Sequence, residues 1–384
     1  MNDFQIARLP RIIFGAGSLQ KLCAEILNFG DRVLLITGAR SFHESPSWAD
    51  LRHDLHRFGI DWVEAKVTGE PSPLQVDEIV NNFKNESIKI VVGIGGGSVL
   101  DAAKAVAGLL PSGESVMNFL EGVGDKPFSG FSLPFIAVPT TAGTGSEATK
   151  NAVITLAGQF KKSFRHESLV ARVAIIDPDL LQSCPRNLLI ANGMDAFTQL
   201  LESFVSTNAN PMTDALVWSG LQGFQSGFFG ALEGDSECRC RLSYAALMSG
   251  IGLAQTGLGA VHGLAAPIGA FFDCPHGVAC GTLVAETTAI NIKALQDRAP
   301  HHSSLDKYAA VGQLLAKEDE HPLEALISTL RDWTAQLNIP LLSAYNIKAT
   351  DLEKIIENSR GNSMKTNPIF LEDQELKAIL QRRL

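Results

Sequence analysis

The sequence predicts an α/β N-terminal half built on a parallel sheet, followed by an all-α C-terminal half. Three observations lead there. Up to about residue 180, short apolar runs ending in glycine alternate with helix-compatible stretches. Beyond that point the strand signals nearly vanish and long apolar helical stretches take over. At 384 residues the chain exceeds one comfortable core, since domains run to roughly 150 residues. The predicted division is therefore 1–180 and 181–384. No Pro-rich linker, low-complexity run or internal repeat separates the two, so they should abut.

The elements follow in order. "RIIFGAG" (11–17) is a short apolar strand running into a glycine turn, and "DRVLLITG" (31–38) is a continuous apolar run closed by Gly38. Such runs mark strands buried on both faces. The polar stretch "SWADLRHDLHRFG" after it suits a surface helix. Next come a strand at 61–67, a helix around 74–85, a buried strand "IKIVVGIGG" (88–96), a helix at 98–110 and a strand "FIAVPTT" (135–141). This β-α-β order implies parallel strands joined by covering helices. After "VAIIDPDLL" (173–181), helices are predicted at 188–205, 211–233, 241–258, 263–271 and 278–294, with several more from about 304 to 384.

The totals exclude several classes. With 41 acidic and 32 basic residues the net charge is −9, which argues against a nucleic-acid partner. The N-terminus "MNDFQIARLP" lacks a signal pattern and no apolar run reaches roughly 18 residues, so a cytoplasmic protein without a membrane span is expected. Six scattered cysteines, Cys23, Cys184, Cys238, Cys240, Cys274 and Cys280, include no C-x-x-C pair and are expected as reduced, mostly buried thiols.

Two loops carry the chemistry of the first half. In "GIGGGSVLDAAK" (93–104), Gly95, Gly96 and Gly97 join a buried strand to a helix. Glycines let the backbone approach a ligand, and the helix N-terminus offers free N–H groups to a phosphate. Ser98 can cap the helix or donate to that phosphate, and Asp101 can hold the loop. The spacing is neither G-x-G-x-x-G nor a P-loop, but strand–glycines–helix is the setting in which pyrophosphates bind. The second loop, "VPTTAGTGSEATKN" (138–151), offers the hydroxyls of Thr140, Thr141, Thr144 and Ser146 at the same sheet edge. Together they predict a dinucleotide site.

In the second half, "ANGMDAFTQLLES" (191–203) reads as a buried helix on which Asp195 and Gln199 share one side, four residues apart. A buried carboxylate and amide need partners: a substrate, a metal ion, or each other.

Taken together these residues closely resemble the iron-containing, or group III, alcohol dehydrogenases of the dehydroquinate synthase-like superfamily. The resemblance runs nearly end to end through "FGAGS", "GEPSP", "GGGSVLDAAK", "VPTTAGTGSE", "AIIDPDLL", "GMDAFTQLLESFVS", "GLGAVHGLAAPIGAFFDCPHG" and "TNPIFL". It implies a dehydroquinate synthase-like fold, NAD(P) in the N-terminal half, and Fe2+ or Zn2+ in the cleft. It further implies a small alcohol or carbonyl substrate and a homodimer or larger homo-oligomer.

In that family the metal is held by an Asp, a His four residues later on the same helix, and two further His residues 14 apart. Asp195, His262 and His276 match three of these positions and form the expected catalytic set; Gln199 stands where the remaining His belongs. The amide oxygen of Gln199 is a candidate fourth ligand. A family His tied to proton relay falls at Ala266, so a proton must travel by water or another side chain. Asn151 is expected in the wall near the nicotinamide, with one of Lys161 and Lys162, Lys162 being preferred, reaching the cleft.

One position bears on cofactor choice. Gly38 stands where NAD-preferring relatives carry an Asp for the ribose hydroxyls. Its absence, with Arg40 and Ser41 near a 2′-phosphate, favours NADP over NAD. Two other readings remain: a metal-independent NAD(P)H reductase like the maleylacetate reductases, and a nucleotide-binding homologue that has lost its chemistry, with Gln199 and Ala266 as its marks. A dehydroquinate synthase-like lyase would need more basic residues than the late helices display.

Overall fold

The structure is a computed structural model and describes residues 3–317 and 320–384. The N-terminal half carries β1 (Arg11–Phe14), α1 (Leu22–Leu27), β2 (Arg32–Gly38), α2 (Pro46–Arg57), β3 (Asp61–Val67) and α3 (Pro73–Phe83). It continues through β4 (Ile90–Gly95), α4 (Gly97–Leu109), β5 (Phe135–Pro139), β6 (Asn151–Leu156), β7 (Phe160–Arg165) and β8 (Val173–Ile176). Six of these strands form one sheet in the order β1-β8-β5-β4-β2-β3, every neighbouring pair parallel.

Alternation along β2 explains why both faces are covered. Val33 and Leu35 join the core under α1 and α2, with Leu22, Leu51 and Leu55. Leu34 and Ile36 join the opposite core, with Val76 of α3 and Val106 of α4. Helix α4 is buried nearly throughout, from Val99 to Leu109 apart from Asp101, which suits its Ala-rich sequence. From β2 the chain moves outward to β3; from β4 it moves the other way to β5. The crevice where such connections diverge is the ligand position of open α/β sheets. Gly38 ends β2 and Gly95 ends β4, so the glycine loop sits at that crevice.

The hairpin of β6 and β7 is antiparallel and stands apart from the main sheet. It has no counterpart among the predicted elements. Its Ala152, Ile154 and Phe164 pack into the α4 core, while the alternate residues, Val153 apart, are polar and look like loop.

The strands end at Ile176 and the helices resume at Arg186. They are α5 (Arg186–Val205), α6 (Pro211–Leu232), α7 (Ser236–Thr256), α8 (Ala260–Phe271), α9 (His276–Arg298), α10 (Ser304–Ala316) and α11 (Pro322–Gln336). Three short ones follow, α12 (Leu352–Glu357), α13 (Asn362–Lys365) and α14 (Asp373–Gln381). Helix α5 is buried almost all round because α6, α7 and α9 pack against it. Glu286 on α9 accepts from Arg331 of α11 at 2.7 Å and from Arg382 at 3.0 Å, tying the C-terminus to the bundle.

The two halves meet closely beside the cleft. Gly145, in the loop after β5, has φ +59°, and a Cβ there would lie 2.3 Å from Gly250 Cα on α7. Only glycine tolerates both that dihedral and that approach. Among the described residues no helix is long and apolar enough to cross a membrane. All six cysteines are free; Cys23, Cys274 and Cys280 are buried and the other three are half-buried.

Candidate active site

The cleft between the halves encloses about 1200 Å3. On its sheet side, Gly95, Gly96, Gly97 and Ser98 form the turn into α4, with Thr140, Thr141 and Thr144 opposite them. The glycines let the loops nest: a Cβ on Gly97 would lie 2.7 Å from Thr144 Oγ1. The N-terminus of α4 opens into this space, where its free N–H groups suit a phosphate.

A buried polar knot holds the two loops together. Lys104 Nζ, with no exposed surface, donates to Ser146 O at 2.9 Å, Ser146 Oγ at 3.0 Å, Thr149 Oγ1 at 3.0 Å and Asn151 O at 2.7 Å. Asp101 accepts from Ser146 Oγ at 2.5 Å and from Val153 N at 3.1 Å. Burial works against both charges, pushing the Asp101 carboxyl above its ordinary range and the Lys104 ammonium below its own. Asp101 and Ser146 therefore brace the cleft wall.

Glu147 lies beside this knot, and burial pushes its carboxyl up to about 7 from 4.5. The folded state thus binds a proton that the unfolded chain has released. Stability from this group is present in full below about 4.5 and declines as pH rises to about 7. Glu147→Gln, neutral throughout, is expected to be more stable than the parent at pH 8 by up to about 3 kcal/mol and nearly equal at pH 4. Urea denaturation at the two pH values checks this; equal midpoints at pH 8 would sink it.

On the helical side, three helices bring four donors together. Asp195 comes from the middle of α5, His262 from the first turn of α8, His276 from the first residue of α9, and Cys280 from one turn further along α9. One ligand atom from each lies within 4.8 Å of all the others. His262 Nε2 is 3.2 Å and His276 Nε2 3.8 Å from Asp195 Oδ1; Cys280 Sγ is 3.6 Å from His262 Nε2 and 3.8 Å from His276 Nε2. Glu202, two turns after Asp195 on α5, sits behind them. Its Oε2 takes the Nδ1 hydrogen of His262 at 2.6 Å, while its Oε1 accepts from Val261 N at 2.6 Å. That arrangement turns Nε2 of His262 toward Asp195, the orientation a metal-binding imidazole needs.

Electrostatics in the cluster follow from burial and proximity. Burial raises the Asp195 carboxyl, but His276 and His262 outweigh it and hold the group below the usual carboxylate range. Burial pushes His276 down to about 4, leaving a neutral imidazole with a lone pair to offer. Two imidazoles, a carboxylate and a thiol are all accepted ligands of a divalent metal. A tetrahedron with bonds of about 2.0–2.3 Å has edges of roughly 3.3–3.8 Å, close to the separations of these four donors. The residues fit such an ion.

Most positions singled out in the sequence line this cleft: Gly38, Ser41, Asn151, Asp195, Gln199, His262 and His276, with the two loops already described. Two do not. The Arg40 side chain is exposed and pairs with Glu44 at 3.2 Å. Lys162 is exposed and shares the Phe164 side of β7, whereas Lys161, Ser163 and Arg165 on the other side face the cleft. Strand alternation makes the lysine of the cleft Lys161, which is paired with Glu70 at 2.5 Å. Gln199 Oε1 accepts from Ser249 Oγ at 3.1 Å. Cys280 escaped the sequence reading, although its four-residue offset from His276 is the spacing that puts two donors on one helix side.

Comparison with known proteins adds a second line. Residues 10–178 match the family described as iron-containing alcohol dehydrogenase, and residues 189–384 match the C-terminal part of the Fe-containing alcohol dehydrogenase family. The NAD-dependent methanol dehydrogenase of Bacillus methanolicus is 30% identical over 100% of both chains. The NADPH-dependent butanol dehydrogenase of Clostridium saccharobutylicum is 28% identical over 97% of this chain and 96% of its own. Among solved structures, an iron-containing alcohol dehydrogenase from Thermotoga maritima superposes with a TM-score of 0.85 at 26% identity, covering 100% of this chain and 99% of that one.

Proposed function

Because the chain belongs to the iron-containing alcohol dehydrogenase family, we propose that it interconverts a small alcohol and its carbonyl using NADP(H) at this cleft. The observation that carries the reading is the convergence of Asp195, His262 and His276 on the same cavity as the glycine loop. When bound, a divalent metal polarises the substrate oxygen and the nicotinamide gives or takes the hydride.

The chain's own residues do the rest. Backbone N–H groups after Gly96 take the pyrophosphate, and the Thr140–Thr144 loop walls the nucleotide. Asp195, His262 and His276 would hold the metal, with Glu202 fixing the His262 ring. With a methyl group at Ala266, the proton path runs past other groups. Lys161 and Glu70 line the cleft and both act on the charge of His276.

Support for NADP(H) comes from the end of β2. Gly38 offers no carboxylate to the ribose, and Ser41 lines the cleft beside it. A side chain fits at Gly38, because an added Cβ meets only Val99 Cγ2 at 3.8 Å. Gly38→Asp is therefore expected to shift the kcat/KM ratio toward NADH by about 10–100-fold, roughly 1–3 kcal/mol of lost 2′-phosphate tolerance. A parent enzyme already favouring NADH would overturn this assignment.

The test of the whole reading is metal analysis beside a panel of short aldehydes and alcohols with both cofactors. Turnover that disappears on chelation and returns with metal supports it. Full activity in metal-free protein would favour a metal-independent reductase, and bound nucleotide without turnover a homologue that has lost its chemistry.

A further inference from the structure

We propose that Cys280 is a metal ligand in this chain, taking the fourth position that the family resemblance assigns to residue 199. The proposal rests on the reading of the cleft as a metal site and concerns which side chains complete it.

Three observations carry it. The first is placement: Cys280 Sγ lies 3.6 Å from His262 Nε2 and 3.8 Å from His276 Nε2, inside the group of donors that converge within 4.8 Å. The second is the helix. His276 and Cys280 are four residues apart on α9, so one helix presents two donors to one point, as the family pattern does with residues 195 and 199 on α5. The third is the fate of Gln199. An amide is a neutral, weaker donor than the imidazole the family places there, and Gln199 Oε1 already lies in hydrogen-bond contact with Ser249 Oγ at 3.1 Å. The donor lost from α5 is thus replaced by a donor gained on α9.

The exchange alters chemistry as well as position. An imidazole gives way to a thiolate, a softer ligand that favours tetrahedral zinc over iron(II) with its preference for nitrogen and oxygen. Cys274 offers no such role: its Sγ contacts Pro275 O at 3.8 Å, and it lies outside the convergent group. On binding, the thiol proton leaves to solvent and the sulfur donates its lone pair, so no other reactant is needed.

Cobalt(II), a spectroscopic stand-in for zinc, tests this in the full-length protein after chelation and dialysis. The parent is expected to take up about one cobalt per subunit and to develop intense near-ultraviolet sulfur-to-metal charge-transfer absorption. Cys280→Ser should lose that absorption and bind cobalt at least about 10–100-fold more weakly. Cys274→Ser and Gln199→Ala should keep both the band and the stoichiometry. Cobalt-loaded parent without the band, or a band that survives in Cys280→Ser, overturns the proposal and leaves the metal site standing. Parent protein that takes up no cobalt overturns the metal site itself and the proposal with it. The parent spectrum decides the matter even if the serine variant fails to fold. In competition, the parent should prefer zinc to iron(II) by a wider margin than Cys280→Ser; an equal margin counts against the ligand exchange.

Discussion

Asp195→Asn is expected to lower metal content to a small fraction of one per subunit and to reduce kcat/KM by at least about 10^3-fold. Asp195 is the one anionic oxygen donor in the cluster and is the atom from which both imidazole nitrogens are reached, at 3.2 and 3.8 Å. An asparagine keeps the shape but removes the charge that offsets a divalent ion. The side chain is almost wholly buried on α5, where an amide costs less to desolvate than a carboxylate. The neighbouring imidazoles outweigh that cost and hold the carboxyl below its ordinary range, so the metal-free variant should melt slightly below the metal-free parent. Elemental analysis, steady-state kinetics and a thermal melt together separate lost chemistry from lost fold. A variant that retains one metal per subunit would contradict the role given to Asp195.

Lys104→Met should be the most destabilising single change in the nucleotide half, at about 3–5 kcal/mol. The ammonium shares its three hydrogens among four oxygens at 2.7–3.0 Å and lies 3.5 Å from Asp101 Oδ1. Methionine fills the space but removes a donor from each of those acceptors and leaves Asp101 a buried carboxylate without its counter-charge. Because Ser146, Thr149 and Asn151 belong to the loop facing the glycine turn, the KM for the nucleotide should rise alongside the stability loss. Urea denaturation measures the first effect and cofactor titration the second. A loss below about 1 kcal/mol would mean that solvent reaches the knot.

Much of this architecture is legible in the residues, for reasons that differ between elements. Strands buried on both faces announce themselves as unbroken apolar runs, which is why β2, β4 and β5 lie within two residues of their expected ends. The β6–β7 hairpin buries one side only, and its mostly polar alternate residues hide it in a loop-like sequence. Without that strand, nothing distinguishes Lys161 from Lys162, since the choice depends on which side Phe164 occupies. Arg40 lies off the cleft lining for another reason. An exposed guanidinium is steered by its nearest carboxylate, and Glu44 one turn away supplies it. The position of Asp195, His262 and His276 could be taken from motif register and that of Cys280 beside His276 from their four-residue offset, but the nearness of Cys280 to His262 could not, because it depends on how α8 and α9 cross.

The carboxylate of Glu202 has a consequence for how the site is made. One of its oxygens grips the backbone of α8 and the other the imidazole that α8 carries, so a single side chain stitches α5 to α8. Two walls of the cavity are thus fixed to each other by the chain's own hydrogen bonds. In such a frame affinity is governed by which atoms face inward, so exchanging a single side chain can retune the preferred ion while the scaffold stays as it is.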